Sequence, residues 1–214
     1  MLFRSDNTGS IEIGGVIQGS FNTVTVSGLE AGGALQFIAH SPITLSESVT
    51  ASGDIEIESV DSNPGDGDSV RILDHRVIES TGGSIFIRSG DSVFLEEGVR
   101  LQAANQVLIT ASVTDPVWHT DSAAASIEAS AVTIRAGTSV TGRASGSILV
   151  QGASSIKAGG AASLTAGQSL TVEQSSVTAE QGAVALSAND GTLTLVAATV
   201  TAAANATATA SRSV

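Results

Sequence analysis

The stretch DSNPGDGDS, residues 61–69, sets Asp61, Asn63, Asp66 and Asp68 in one glycine-bearing loop. Calcium is bound through oxygen, by about six to eight ligands, and alternating Asp and Asn between glycine turns can supply them. Calcium is therefore the cofactor this loop would take. The spacing departs from the EF-hand loop, which needs a glutamate at its twelfth position. A solvated acidic turn explains the same residues.

A second constellation is TDPVWHTD, residues 114–121, which holds the only tryptophan. Trp118 stands beside His119, with Asp115 and Asp121 on either side. An aromatic face with nearby carboxylates can grip a sugar, and a histidine with aspartates can hold a metal. Trp118 can equally lie over the wall of the fold as a hydrophobic plug for its own loop.

Paired acid/base chemistry needs two carboxyl groups held on opposite sides of one bond. Asp54, Glu56 and Glu58 alternate along one short run, so they share an outer face, and Asp74, His75 and Arg76 follow the run SVRIL. No Asp/Glu pair recurs in phase in neighbouring segments. His40, His75 and His119 fall at unrelated phases, and there is no G-x-S-x-G, P-loop or dinucleotide fingerprint. The chain is read as not an enzyme. Threonine alternation in TVTV (23–26), TLTL (192–195), TVTA (199–202) and TATA (207–210) fits ordinary outward-facing strand positions.

What must position these residues is a repeat. GGSIFIRSGDSVFLEEGVRLQAAN, residues 82–105, contains three apolar alternations: Ile85 with Ile87, Val93 with Leu95, and Val99 with Leu101. The pattern returns at 160–181 in Ala162, Leu164, Leu170, Val172, Val177 and Ala179. It returns again at 182–204 in Val184, Leu186, Leu193, Leu195, Val200 and Ala202. Period two means strand with one buried face, and Gly, Gly-Asp and Asn-Asp-Gly between the runs supply turns. Units 9–32, 33–52, 53–81, 82–105, 160–181 and 182–204 follow one scheme. Residues 106–159 make one coil or two. An antiparallel sandwich or barrel also uses short, regularly spaced strands, but it does not need the same phrase in every unit. Three strands of three to five residues cannot bury themselves, whereas stacked copies can.

The expected fold is therefore all-β: a right-handed parallel β-helix, or β-solenoid. It has seven to eight coils of 20–24 residues, almost no helix, and two loop insertions at 60–68 and 112–125. Residues 1–214 form one such domain. Inward residues shift from Ile, Phe and Leu towards Ala and Val in the C-terminal third, which predicts a narrower rod there.

Composition narrows the partners. The net charge is −12, with 9 basic residues, none adjacent, so duplex nucleic acid and anionic membrane surfaces are poor partners. Of the 21 acidic residues, only Glu173, Glu180 and Asp190 follow Glu128. There is no cysteine, which excludes a disulfide scaffold and a thiolate metal site. Aromatic residues are 3%, so small aliphatic side chains must fill the core. No apolar run is long enough to span a membrane as a helix.

The phrases QVLITAS, SSIKAGGAASLTAG and GAVALSANDGTLTL resemble the repeats of large bacterial exoproteins similar to filamentous haemagglutinin. The resemblance covers nearly all of 9–204. It implies an extracellular or cell-surface location and a rigid structural or adhesive module within a much longer chain. The Asn-Pro-rich secretion domain of that family is absent from these residues, and neither end reads as a cap. The expected partners are thus neighbouring repeats or subunits stacked at both ends, and host or surface glycans or proteins. Alternatives on the same scaffold are a self-assembling filament subunit and a carbohydrate-active enzyme.

Overall fold

The computed structural model describes residues 2–5, 11–13, 29–39, 42–60, 67–112 and 124–211. In chain order the first strands are β1 (Leu2–Ser5), β2 (Ile11–Ile13), β3 (Leu29–Ala31), β4 (Leu35–Ala39), β5 (Ile43–Leu45) and β6 (Val49–Ala51). They are followed by β7 (Ile55–Ser59), β8 (Val70–Ile72), β9 (Val77–Ser80), β10 (Ile85–Ser89), β11 (Val93–Leu95) and β12 (Arg100–Ala103). Next come β13 (Gln106–Ala111), β14 (Ile127–Ser130), β15 (Thr133–Ala136), β16 (Ser139–Ala144), β17 (Ile148–Gln151) and β18 (Ser155–Ala158). The last are β19 (Ala162–Ala166), β20 (Leu170–Glu173), β21 (Ser176–Ala179), β22 (Val184–Ala188), β23 (Leu193–Val196), β24 (Thr199–Ala202) and β25 (Ala206–Ala210). No helix occurs among the described residues.

From β4 on, each strand pairs in parallel with the one three before it. Sheet A runs β1-β4-β7 through to β25, sheet B runs β2 to β23, and sheet C runs β3 to β24. The sheets have nine, eight and eight strands. The chain is therefore a parallel β-solenoid whose coils visit A, B and C in turn. Sheet A keeps register by residue: Ile85 lies over Ile55 and under Val107, and Ile87 over Ile57 and under Ile109. From Val140 on, the opening inward position of sheet A recurs every 22 residues, through Ala162 and Val184 to Ala206.

The units expected from the sequence match coils from β4 onward; the structure settles the one left open and re-phases the first. Residues 106–159 form two coils, β13–β15 and β16–β18, because Val140 to Ala144 register under Ala162 to Ala166 as a full sheet A strand. That strand reads SVTGRA, and Gly142 takes the place of an inward aliphatic residue, which disguises the alternation. In the first unit, IEI at 11–13 is a sheet B strand paired with β5, and the sheet A strand before it is Leu2–Ser5. Both expected insertions leave the wall at the A-to-B corner, between β7 and β8 and between β13 and β14.

The core is a stack of inward ladders. One column is Leu45, Ile72, Leu95, Ala129, Val150 and Val172, all 2% exposed or less. Each fully buried Ile or Leu contributes about 1.5–3 kcal/mol relative to exposure. The taper expected towards the C-terminus is overlaid by a rule of position. The last inward residue of sheet A is small in every coil with a described interior: Ala39, Ser59, Ser89, Ala111, Ala144, Ala166, Ala188. So is that of sheet C: Ala51, Ser80, Ala103, Ala136, Ala158, Ala179. Small side chains mark the corners, where the path bends inward and leaves little room.

The three corners are built differently. At the B-to-C corner a left-handed backbone recurs from β8 onward: His75, Gly98, Ala131, Gly152 with Ala153, Gln174 and Ala197, with φ between 47° and 75°. Their amides continue the stack, as in Gly98 N–H to Ala131 O (3.1 Å) and Gln174 N–H to Val196 O (2.8 Å). This conformation costs an L-residue about 1–2 kcal/mol, so the stacking of the coils imposes it. At the A-to-B corner a column of hydroxyls accepts amides that the ladder leaves over: Ser126 N–H donates to Ser92 Oγ (3.0 Å) and Ser147 N–H to Ser126 Oγ (3.4 Å). At the C-to-A corner successive backbones touch. A Cβ on Gly159 would lie 2.0 Å from the carbonyl oxygen of Gly137, and one on Gly137 would lie 1.9 Å from that of Ala104.

Two stability outcomes follow. Gly159→Ala, which forces that backbone contact apart, lowers the unfolding free energy by about 2 kcal/mol in denaturant titration. Ala131→Gly, at φ 53°, is neutral or raises it by up to about 1 kcal/mol, because relief of the left-handed strain offsets the added freedom of the unfolded chain.

Candidate binding surfaces on the outer faces

Because inward positions are spent on the core, chemistry must come from outward positions and loops. Of the residues singled out in sequence, Asp61, Asn63 and Asp66 lie outside the described residues, as do Asp115, Trp118, His119 and Asp121. Asp68 is described, at the foot of its loop and only 2% exposed. Its carbonyl accepts Ser89 Oγ–H (2.7 Å) and Asp91 N–H (3.1 Å), which fastens the loop's return to the coil above. Among the described residues no three His, Asp or Glu side chains gather as metal ligands. His75 lies exposed in the turn between β8 and β9, its ring over Gly98, where a Cβ would meet the ring at 3.1 Å.

The outer face of sheet A shows what becomes of the alternating acids. Glu56 and Glu58 project from β7 as expected, and Arg88 on the next coil bonds Glu56 and lies 3.6 Å from Glu58. Gln36 on the coil below donates to Glu56 (2.7 Å). Asp54 sits before the strand and accepts Ser84 N–H (2.8 Å), so it closes a corner. Both outward glutamates are thus held in an ion-pair network. Such exposed pairs contribute about 0–1 kcal/mol each.

On sheet B, Arg71 lies over the Phe94 ring (4.4 Å to its centroid) and pairs with Glu96 (2.5 Å). Beside them is a shallow cavity of about 130 Å³, bordered by Glu128, Ser130 and Gln151. The ring face nearest the cation is already covered by Arg71.

Sheet C carries the larger depression, a groove of about 430 Å³. Its wall is a row of outward residues on three successive coils: Glu79 on β9, Gln102 on β12 and Arg135 on β15. Its floor is Ser80, Thr81, Ala103, Ala104 and Gly137. Gln102 Nε2 donates to Glu79 Oε1 (3.2 Å). The row continues to Lys157, which binds Glu180 at 2.7 Å. The hydrogen bond from Lys157 holds the Glu180 carboxyl below the usual carboxylate range, and the Lys157 charge adds to it. Arg135 exerts a smaller pull in the same direction. Arg135 itself is exposed and makes no ion pair among the described residues.

This groove is not legible in the sequence. Its wall residues are separated by 23 and 33 positions, and the second interval includes an insertion, so only the strand register aligns them. The one sequence signal was the pair of glycine-bearing corners that hold the floor low.

Comparison with protein-family models, curated proteins and solved structures gave no match. The exoprotein resemblance therefore rests on the repeat and the solenoid alone, and the functional reading rests on the surfaces themselves.

The Lys157–Glu180 pair gives a pH-dependent outcome. A depressed carboxylate contributes stability that is present above its unfolded pKa and lost as pH falls through its folded one. Lys157→Ala removes that contribution, so carboxyl titration by NMR shows Glu180 moving up to the ordinary glutamate range. Stability near neutral pH changes little, since both side chains are largely exposed and solvent screens the pair.

Proposed function

We propose that this chain is a rigid structural and adhesive module of an exported bacterial surface protein. The observation that carries the reading is the uninterrupted stack. Three parallel sheets share one axis, and their inward ladders are continuous from β4 to β22. A solenoid of this kind holds whatever it displays at a fixed distance and resists proteases, because few backbone amides are free. The acidic, cysteine-free composition and the resemblance to exoprotein repeats support an extracellular setting. The two long excursions at one corner would be displayed along one side of the rod. Surface display of the chain on a non-adherent bacterium tests the adhesive part. Host-cell attachment is expected, and it should fall when the 113–123 excursion is replaced by a short Gly-Ser turn. Unchanged, background attachment in both strains would overturn it.

A second reading, self-assembly into filaments, is favoured by the last described coil. Leu170 and Val172 are fully buried under β23, but Leu195 is 43% exposed and Val196 48%. Leu195 continues the inward column of Val172, whereas Val196 lies in register with the outward Glu173, so Leu195 and the open edges of β23 and β24 form the surface a further coil would cover. Electron microscopy over a concentration series is expected to show fibres of constant width that shorten when Leu195 is replaced by Lys. Single short rods at every concentration would exclude assembly.

A further inference from the structure

The sheet C groove has the shape, the charge order and the backbone chemistry of a small polar binding site. Its floor stays open for a structural reason. Gly137 cannot carry a side chain without striking Ala104, so the depression is part of the corner itself. Its backbone is already committed: Ala104 N–H donates to Ser80 O (3.0 Å) and Gly137 N–H to Ala103 O (3.1 Å). A ligand that needs main-chain partners, such as an added peptide strand, finds none on this face, so recognition falls to side chains.

Those side chains run in order along the rod, one per coil, at steps of about 4.8 Å. Glu79 is an acceptor and Gln102 is a mixed donor and acceptor. Arg135 is a planar cation whose fork matches a carboxylate. Lys157, the next cation, is occupied by Glu180, which leaves Arg135 as the anion-binding position of the row. In a chain of net charge −12, an anion is best retained at a cation such as Arg135, which has no ion-pair partner among the described residues. Glu79, two coils away, sets the opposite condition. It repels a second negative charge and needs hydroxyl donors. The matching ligand has a carboxylate at one end and neutral hydroxyls at the other.

We propose that this groove binds an acidic saccharide in which one uronic-acid unit is linked to a neutral sugar. The carboxylate sits on Arg135 and the neutral unit's hydroxyls lie against Gln102 and Glu79. The site is separate from the displayed excursions and stands whether or not the rod is anchored at a cell surface.

The test is titration of the full chain with glucuronic acid linked to xylose, followed by backbone amide NMR. Saturable shifts are expected at Gln102, Ala104 and Gly137, with a dissociation constant of about 1 mM. Arg135→Ala weakens binding tenfold or more, and uncharged xylobiose binds wild type as poorly. Arg143→Ala, an exposed arginine on sheet A, leaves binding unchanged. Digalacturonate, charged on both units, binds wild type more weakly than the mixed disaccharide and gains on Glu79→Gln. The proposal is overturned by any of three results: no saturable shift at those amides, equal losses in the Arg135 and Arg143 variants, or tighter binding of hexaglutamate than of the saccharide. All the substituted side chains are at least part-exposed outward strand residues, so the variants retain the fold, and their unperturbed amide spectra verify this.

Discussion

The structure depends on one constraint: every coil must hydrogen-bond in parallel, in register, to the coil on either side. A strand of three residues has no stability alone, and its inward side chains cover too little surface to offset the entropy of ordering it. Stacked in phase, the same strand has its amides paired and its apolar residues shielded above and below. Register is strict because a slip of one residue would turn Ile85 and Ile87 outward and Phe86 and Arg88 inward. The corners obey the same constraint. The column of left-handed residues accepts backbone strain at alanine and glutamine because each must follow the path of the residues above and below it.

That constraint also divides the labour of the sequence. Inward positions are nearly fixed in kind, aliphatic along the strands and Ala or Ser at two corners. Outward positions are free to vary, and they vary by region. The acidic first half forms ion pairs across coils, such as Arg88 with Glu56 and Glu58. The later coils carry Ser, Thr and Ala on their outer faces. Chemistry on this scaffold arises between coils, from residues about one coil apart in sequence and adjacent in space. The groove on sheet C is such a place. A glycine required by backbone packing at the corner lowers its floor, and the row Glu79, Gln102, Arg135 forms its wall.

Most of the architecture was legible in the sequence, because a period-two alternation broken by glycine turns and repeated many times has few solutions. Ile85, Ile87, Val93, Leu95 and Leu101 were read as inward and are buried. Leu195 has the same alternation and is exposed, since burial in a solenoid is given by the next coil and not by the residue's own strand. The division of 106–159 was illegible for a local reason: Gly142 replaces an aliphatic residue in the inward ladder.

The sequence by itself determined the strands, the inward faces, the parallel stacking and the sites of the excursions. All of these follow from local periodicity and from the inability of short strands to stand alone. Only the tertiary structure decided which outward residues meet. Arg88 finds Glu56 across 32 residues, and Arg135 aligns with Gln102 across 33. Loop length between strands varies without disturbing the register, so sequence distance does not encode these encounters. The hydrogen-bonded stack does, because it fixes each strand by its partner and leaves the loops to absorb the difference.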